Sequence, residues 1–209
     1  MNVTIFGATG GVGTHLLRDC LAAGHSVRAL VRDPTKIPRD LEAAQVEPLV
    51  GDARDPADVA AAIAGSEIVF SALGGDDLKE TTLYSVGGGN IVDAMERSGP
   101  KRLIVVTSGG VEREPNANFI QRTLVFGGIL KNVLTDMRRM EERITASSLA
   151  WTIVRPTRLM DDPATGNYRA VERYMPKGAA RINRADVAGF MLKAAADDAT
   201  IGKIIALAE

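Results

Sequence analysis

Apolar residues in this chain fall into two patterns that alternate along its length. Short continuous apolar runs predict buried strands, and segments with apolar residues three and four positions apart predict helices with one buried face. The first run, residues 3–6, predicts a strand, and the segment after it predicts a helix that ends near Gly24. Residues 27–31 predict a second strand. The apolar face of the helix comprises Val12, Leu16, Leu17, Cys20 and Leu21.

The same alternation continues to the end of the chain. Further strands are predicted at 46–50, 67–73, 101–107, 151–154 and 203–207, with shorter ones within 168–175 and at 181–182. Helices are predicted after the cap Asp55, over about 79–98, along an apolar stripe from Ile129 to Ile144, and after Asn183, which pairs with Asp186 as a cap. Alternating strands and helices are typical of the α/β class. We therefore predict a Rossmann-like, doubly wound parallel sheet in a single domain over residues 1–209.

The turn between the first strand and the first helix is rich in glycine. It reads Gly7-Ala8-Thr9-Gly10-Gly11-Val12-Gly13. In a strand–turn–helix unit the glycines permit a tight turn, let a pyrophosphate approach the backbone, and bring helix and strand close together. The N-terminus of the helix adds unpaired N–H groups and the positive end of its dipole. The spacing and its context predict a dinucleotide site rather than a chance glycine-rich turn.

The composition narrows the class of partner. Of the 209 residues, 45% are hydrophobic and 24% charged, and a net charge of −1 favours neither a nucleic acid nor an anionic membrane surface. No run is long enough to cross a bilayer, and the first strand begins at the N-terminus, so we expect a cytoplasmic protein without a signal peptide. The one cysteine, Cys20, is expected in the core. We expect a small-molecule acceptor as partner and no metal; the sequence predicts no oligomeric state.

The residues after the second and third strands bear on which dinucleotide binds. Arg32 follows the second strand directly, where an arginine accommodates the 2′-phosphate of NADP and an acidic residue binds the ribose of NAD. Asp33 begins a turn into Pro34. We therefore predict NADP (NADPH), against the alternative of a solvated surface pair. Asp52, after the third strand, is a candidate acceptor for the adenine amino group, or part of an ordinary turn beside Gly51.

Two loops follow the later strands, at the edge where open α/β sheets bind ligands. The first, about 109–127, lacks regular pattern but keeps apolar residues, which is typical either of a substrate lid or of a packed connection. The second spans about 155–182. Candidate substrate contacts are the apolar walls Phe119 and Phe126, and Arg155 or Arg158 for a phosphate or an acidic group.

These stretches together resemble the atypical short-chain dehydrogenases/reductases, a group that includes NmrA-like proteins and proteins described as NAD-dependent epimerases. The resemblance covers nearly the whole chain and is greatest to the biliverdin reductase B family of NADPH flavin reductases. It rests on the glycine loop, Leu30-Val31-Arg32-Asp33, Gly51-Asp52, Thr107-Ser108 and Trp151-Thr152-Ile153-Val154-Arg155-Pro156. Stretches shared with the flavin reductases include Thr81-Thr82, Asn90-Ile91-Val92, Arg139-Met140, Thr165-Gly166-Asn167-Tyr168 and Phe190-Met191-Leu192.

The resemblance implies a Rossmann fold with NADPH lying across it. The implied contacts to the pyrophosphate come from Gly7, Thr9, Gly10, Gly11 and Val12, and the contact to the 2′-phosphate comes from Arg32. The resemblance further implies Asp52 at the adenine, Leu73 and Gly74 at the ribose, Ser108 near the nicotinamide, and Pro156 and Thr157 close to the carboxamide.

The chain departs from this group where the group's carbonyl reductases carry a Tyr-x-x-x-Lys pair. The corresponding positions hold Val133 and Met137, and no Tyr precedes a Lys by four residues anywhere in the chain. Arg158 stands where the flavin reductase family has a histidine. Since both histidines of the chain lie near the first helix, no base is expected beside Ser108. We expect Ser108 to orient a ligand and not to act as a nucleophile.

Three functions are compatible with these residues. The first is an NADPH-dependent oxidoreductase that transfers hydride to a flavin-like or quinone-like conjugated acceptor. The second is a redox sensor of NmrA-like type that binds NADPH without turnover. The third is an NAD-dependent epimerase or dehydratase, which the missing Tyr–Lys pair disfavours because such chemistry needs a positioned acid or base.

Overall fold

The predicted strands and helices form in the part of the chain that the computed structural model describes, residues 1–41, 46–75, 81–112 and 130–209. The first elements are β1 (Asn2–Phe6), α1 (Gly11–Ala22), β2 (Ser26–Val31), β3 (Val46–Val50), α2 (Pro56–Ile63), β4 (Ile68–Ser71), α3 (Leu83–Ser98) and β5 (Arg102–Val106). They are followed by α4 (Lys131–Thr145), β6 (Ala150–Pro156), β7 (Arg158–Met160), β8 (Arg169–Glu172), β9 (Arg181–Asn183), α5 (Arg184–Ala195) and β10 (Lys203–Ala208). Short 3-10 turns occupy Pro34–Lys36, Gly109–Val111 and Asp198–Thr200.

The main sheet has the strand order β3-β2-β1-β4-β5-β6-β10-β8. Its strands run parallel except β8, which pairs antiparallel with β10 at the edge. Beside it, β7 and β9 form a separate parallel pair. The prediction of a doubly wound, Rossmann-like sheet is confirmed. The strand order reverses between β1 and β4, and their carboxyl ends diverge there into the crevice where such sheets bind ligands.

Apolar side chains cover both faces of the sheet, because successive residues of each strand point to opposite sides. On β1, Val3 and Ile5 join the cluster with α1 and α5, whereas Phe6 joins the cluster with α2, α3 and α4. Cys20 is fully buried in the first cluster, and burial raises the pKa of its thiol to about 12. The prediction that Cys20 belongs to the core is confirmed.

Three adjacent glycines, Gly87-Gly88-Gly89, lie inside α3, although each glycine costs about 1 kcal/mol relative to alanine in a helix interior. A methyl group on Gly88 would lie 2.4 Å from Cγ and 2.6 Å from Sδ of Met140 on α4, so this glycine lets the two helices approach. A methyl group on Gly87 would lie 3.2 Å from Cδ1 of Leu73, which follows β4. Gly89 has open space around it.

Within the segment 155–182, β8 and β9 form where the sequence predicts short strands, whereas β7 was not predicted. The expectation of a capping pair before the last helix is corrected. Asn183 precedes α5 but makes no capping bond with its side chain, which donates instead to Oε1 of Glu209 at 2.9 Å. The carboxylate of Asp186 accepts hydrogen bonds from the N–H groups of Thr165 and Gly166 and, at 3.5 Å, from the side chain of Asn183. The polar side chains at this helix start therefore fix the neighbouring segments.

Candidate dinucleotide-binding site

The glycine loop between β1 and α1 has a conformation that only glycine fits at two positions. Gly7 has a φ of +78°, and a methyl group on it would lie 2.2 Å from the carbonyl oxygen of Ala72. A methyl group on Gly13 would lie 2.0 Å from the carbonyl oxygen of Gly7. Gly10 donates to that same oxygen at 3.0 Å and caps α1 without a side-chain hydrogen bond. The first turn of α1 therefore keeps N–H groups for an anion.

A cleft of about 460 Å³ lies beside this loop, at the carboxyl ends of β1, β2, β3 and β4. This position corresponds to the reversal of strand order between β1 and β4. Its lining residues are Phe6, Gly7, Thr9, Gly10, Leu30, Val31, Arg32, Asp33, Lys36, Gly51, Asp52, Ala53, Ala72, Leu73, Gly74 and Leu83. The volume is within the range of small-molecule and cofactor pockets.

The cleft brings together a group of the predicted cofactor residues. Those that line it are Gly7, Thr9, Gly10, Arg32, Asp52, Leu73 and Gly74. Gly11 is exposed on the first turn of α1, and the side chain of Val12 is buried in the core. Ser108, Pro156 and Thr157 lie farther along the same edge of the sheet, after β5 and at the end of β6. For these five residues outside the cleft lining, contact with a cofactor stays a prediction.

The end of the cleft beside β2 carries two exposed cations. Arg32 follows β2, and Lys36 ends the 3-10 turn Pro34–Lys36. The carboxylate of Asp33 caps this turn: it accepts from the N–H of Thr35 at 3.0 Å and from its hydroxyl at 2.6 Å, bonds that lower the pKa of Asp33. Both cations line the same cleft, and Oδ1 of the neighbouring Asp33 is bound by Thr35. The sequence reasoning missed Lys36, although its position four residues after Arg32 was a usable signal.

Asp52, at the end of the cleft beside β3, is held by its neighbours. Its carboxylate accepts from the backbone N–H of Arg54 at 2.9 Å and from the Arg54 guanidinium at 2.6 Å. These bonds lower the pKa of Asp52 to about 2. Asp58 on α2 accepts from the backbone N–H of Asp52 at 2.9 Å and fixes the turn. The sequence reasoning named Asp52 but missed Arg54 and Asp58; an adenine contact for Asp52 stays a prediction.

Ser108 lies at the other end of the ligand-binding edge, where β5 ends. Its Oγ accepts from the N–H of Gly110 at 3.3 Å and caps the 3-10 turn Gly109–Val111. Of the two histidines, His15 lies on α1 and His25 directly before β2, both away from the end of β5. Thr157 donates its N–H to the carbonyl of Leu207 at 3.1 Å, which ties the end of β6 to β10. These bonds give Ser108 and Thr157 fixed positions.

Arg155 has a different environment from the one expected of a substrate-binding residue. It is only 4% exposed. Its Nε and one terminal nitrogen donate to the two carboxylate oxygens of Glu141 at 3.1 and 2.5 Å, and its other terminal nitrogen donates to Glu112 at 2.7 Å. Burial works against its charge, but Glu141 and Glu112 outweigh burial and raise the pKa of Arg155. We correct the expectation accordingly: Arg155 is a structural ion-pair partner in this structure.

The two acids around Arg155 extend this ion-pair network to other segments. Glu141, on α4, also accepts from the hydroxyl of Thr107 at 2.6 Å, directly before Ser108. Glu112 also accepts from Arg173 at 2.8 Å, and the two arginines lower its pKa against the effect of burial. The network therefore fixes the chain on both sides of Ser108. Sequence reasoning missed it, because its members lie on separate elements and charged residues are usually exposed.

Of the remaining predicted substrate contacts, only Arg158 lies within the described residues. Phe119 and Phe126, with most of the proposed lid at 109–127, lie outside the described residues. Arg158 begins β7 and is exposed. Val133 and Met137, at the positions of the family's Tyr–Lys pair, both pack into the core cluster beside α3. The inner face of α4 is therefore apolar at those two positions.

Tyr84 is a cleft-side residue that the sequence reasoning did not single out. It follows Leu83, which lines the cleft, and its hydroxyl accepts from the N–H of Gly75 at 3.4 Å. Burial raises the pKa of its phenol. The buried carboxylate of Asp136 on α4 accepts from the backbone N–H groups of Tyr84 and Ser85 and from the Ser85 hydroxyl, so an acid from another helix caps the start of α3.

Two kinds of feature are not found in the described part of the chain. None of its helices is long and apolar enough to cross a membrane. Across the same residues, no group of three or more His, Cys, Asp or Glu side chains is placed to hold a metal ion.

The glycine loop, the cleft and the strand order define a Rossmann-type nucleotide-binding protein. The sequence profile of the NAD(P)H-binding family matches residues 7–198, and the chain belongs to that family. The resemblance to the short-chain dehydrogenases/reductases and their NmrA-like members is thereby confirmed.

Characterised and uncharacterised relatives share about the same level of identity with the chain. It is 28% identical over 79% of its length to an uncharacterised chloroplastic protein of Arabidopsis thaliana, and it spans 61% of that protein. It is 29% identical to the uncharacterised sugar epimerase YhfK of Bacillus subtilis, over 82% of this chain and 78% of that one. It is 26% identical to an NAD(P)H azoreductase of Xenophilus azovorans, over 88% of this chain and 58% of that one.

Among solved structures, the chain is similar to ChuY from Escherichia coli O157:H7, described as an anaerobillin reductase. The sequence identity is 27% and the TM-score 0.81, over 100% of this chain and 97% of ChuY. The similarity therefore extends over the complete sheet and includes the strands that follow β5.

Proposed function

We propose that the cleft binds NADPH, with the adenine between the ends of β2 and β3 and the 2′-phosphate at Arg32 and Lys36. The observation that carries this choice is the pair of exposed cations, Arg32 and Lys36, that line the cleft beside Asp33, one carboxylate oxygen of which is bound by Thr35. An arginine binds a phosphate through two parallel charge-assisted hydrogen bonds, and a lysine adds a point charge. Thr35 occupies only Oδ1 of Asp33, so the comparison of NADPH with NADH must exclude binding of the NAD ribose by Oδ2.

We further propose that the protein is a reductase of a flavin-like or quinone-like conjugated acceptor. Bound NADPH would supply the hydride and become NADP⁺, and solvent would supply the proton that completes reduction of the acceptor. Reduction of a simple ketone leaves an alkoxide that needs a positioned proton donor, whereas a conjugated acceptor spreads the arriving charge until solvent protonates it. Val133 and Met137 pack in the core where the family's Tyr and Lys would stand, which supports the conjugated acceptor.

The residues at the end of β5 then serve to position the acceptor. Ser108, fixed by Gly110 and by the Thr107–Glu141 bond beside it, offers its hydroxyl to the carboxamide of the nicotinamide or to the polar edge of the acceptor. Phe119 and Phe126 are proposed as apolar walls, and Arg158 as the residue for an acidic group. Holding two reactants in contact is itself a large part of the rate acceleration that such a site can supply.

The reductase assignment has support from the relatives. Two of them, from Xenophilus azovorans and Escherichia coli, are named as reductases. The test is to mix the purified protein with NADPH and one acceptor at a time and to follow the near-ultraviolet absorbance of NADPH. We expect oxidation with FMN or a quinone and none with simple aldehydes, ketones or sugar nucleotides. Robust reduction of a plain ketone would contradict the proposal.

The same experiment examines the second candidate function, a redox sensor that binds NADPH without turnover. The apolar positions Val133 and Met137 favour it as much as they favour a conjugated acceptor, because neither function requires an acid there. Tight NADPH binding without oxidation by any acceptor of a broad panel would select the sensor. Turnover with FMN or a quinone would exclude it.

A further inference from the structure

Arg184, the first residue of α5, lies across the first turn of α1. A methyl group on Gly11 would lie 2.6 Å from Cδ and 2.6 Å from Nε of Arg184, so the arginine stem lies beside the residue that begins α1. Its guanidinium forms an ion pair at 2.5 Å with Asp161. The Asp161 side chain is 83% exposed, and the Arg184 side chain is 26% exposed.

This position adds a cation to the partial positive charge of a helix N-terminus, and the Asp161 carboxylate compensates that cation in this structure. A helix N-terminus carries partial positive charge, and a cation beside it is repelled. Arg184 stands at the start of its own helix and over the start of α1, whose cap, Gly10, offers no side-chain oxygen. The cleft independently indicates a ligand here, since Thr9 and Gly10, directly before Gly11, line it.

We propose that Arg184 binds the pyrophosphate of the dinucleotide and gives up its ion pair with Asp161 when it does. This inference rests on the proposed binding of NADPH and adds a binding residue from the far end of the chain. The exchange is favourable because an exposed ion pair such as Arg184–Asp161 contributes little, whereas a pyrophosphate offers charge-assisted hydrogen bonds from two sides. Arg184 and the N–H groups of α1 would then enclose the pyrophosphate between them.

Titration calorimetry with two fragments of the cofactor tests the assignment. One fragment, 2′-phospho-ADP-ribose, contains the pyrophosphate, and the other, 2′-AMP, lacks it. Arg184→Ala and Arg184→Gln should weaken binding of the first roughly tenfold or more, as expected for a lost charge-assisted contact, and leave the second unchanged. Asp161→Asn, which frees the guanidinium, should tighten binding of the first about threefold.

Gly11→Ala provides a second test, because its methyl group would displace Arg184. The substitution should weaken binding of 2′-phospho-ADP-ribose in the otherwise unchanged protein and cause little further loss in the Arg184→Ala background. Two residues that act through one contact are non-additive in this way.

The outcomes separate this inference from the proposed function. If the unchanged protein binds 2′-phospho-ADP-ribose and both Arg184 variants bind it equally well, Arg184 has no role at the pyrophosphate and the inference is overturned. If the unchanged protein binds neither fragment nor NADPH, the proposed function itself fails. Unchanged affinity of the Arg184 variants for 2′-AMP serves as the control for folding.

Discussion

The two ends of the ligand-binding edge use charge in opposite ways. Beside β2, Arg32 and Lys36 are exposed and line an open cleft. Beside β5 and β6, Arg155 and Glu141 are 4% exposed each and bind one another. The first arrangement can accept a charge from outside, whereas the second has its charges compensated internally. Under the proposed function, the β2 end would select the cofactor by charge and the β5 end would hold a rigid frame around the reacting groups.

A buried ion pair is expensive to form and more expensive to break, because removing one partner leaves the other charge buried. In the ion-pair network of Arg155, Glu141 and Glu112, the charges hold Thr107 and the 3-10 turn after Ser108 in place. The exposed cations at the β2 end have no such structural duty. Substitutions should therefore affect stability at one end and cofactor affinity at the other.

Glu141→Gln should have the largest effect, a loss of about 3–5 kcal/mol in the free energy of unfolding, because it removes one charge of the buried pair with Arg155. Urea unfolding measures this loss in the free energy of unfolding. The matched control is Glu142→Gln, an exposed neighbour on the same helix, which should change stability by about 0.5 kcal/mol or less. If the two variants lost equal stability, the β5 end would not be the rigid frame described.

Arg32→Ala should weaken NADPH binding by about 2 kcal/mol and leave NADH nearly unchanged, because the guanidinium meets only the 2′-phosphate. Binding of both cofactors is compared by calorimetry. Arg39→Ala, an exposed arginine that does not line the cleft, is the control and should alter neither affinity. Equal losses for NADPH and NADH would contradict the assignment of Arg32.

Much of this contrast could be predicted from sequence, but only at one end. The β2 end is built from consecutive residues after strands, so a glycine spacing and the position of Arg32 were enough to locate it. The β5 end depends on Glu141 and Arg155, which come from different elements. Apolar periodicity places α4 and β6 correctly, but it carries no information about which charged residue turns inward. For that reason the sequence offers Arg155, or Arg158, as a candidate contact to a substrate.

Several polar contacts of single side chains were missed for a related reason. Lys36 lines the cleft because Asp33 caps a 3-10 turn. Asp136 on α4 caps the start of α3, which lies two elements earlier in the chain. Such contacts depend on side-chain direction, which the hydrophobic pattern does not specify. Asn183 and Asp186 show the opposite error: their sequence predicts a capping pair, but Asn183 donates to Glu209 and Asp186 accepts from Gly166.

Ser108→Ala should lower turnover roughly tenfold or less, because it removes one neutral hydrogen bond to a ligand, and should lower the free energy of unfolding by about 1 kcal/mol, because it also removes the cap on Gly110. Steady-state oxidation of NADPH with FMN measures the effect. A loss of several orders of magnitude would show that Ser108 takes part in proton transfer, and the β5 end would then be more than a positioning frame.

Asp52→Asn should have the smallest effect. It should lower the free energy of unfolding by an amount that depends on pH. The pKa of Asp52 is lowered to about 2 by Arg54, below the value of about 3.9 in an unfolded chain. Its contribution to stability is therefore complete above pH of about 4 and is lost as the pH falls toward 2. Since the carboxylate is 34% exposed, the contribution is about 1 kcal/mol or less. In urea unfolding, the difference between variant and unchanged protein should shrink below pH of about 4; a constant difference would contradict this.

The central claim, that the β2 end selects the cofactor by charge, is tested most directly by the unchanged protein. Calorimetric titration with NADPH and with NADH under identical conditions compares two ligands that differ only in the 2′-phosphate. We predict tighter binding of NADPH by roughly thirtyfold, the equivalent of about 2 kcal/mol for one charge-assisted phosphate contact. Equal affinities, or tighter binding of NADH, would contradict the claim.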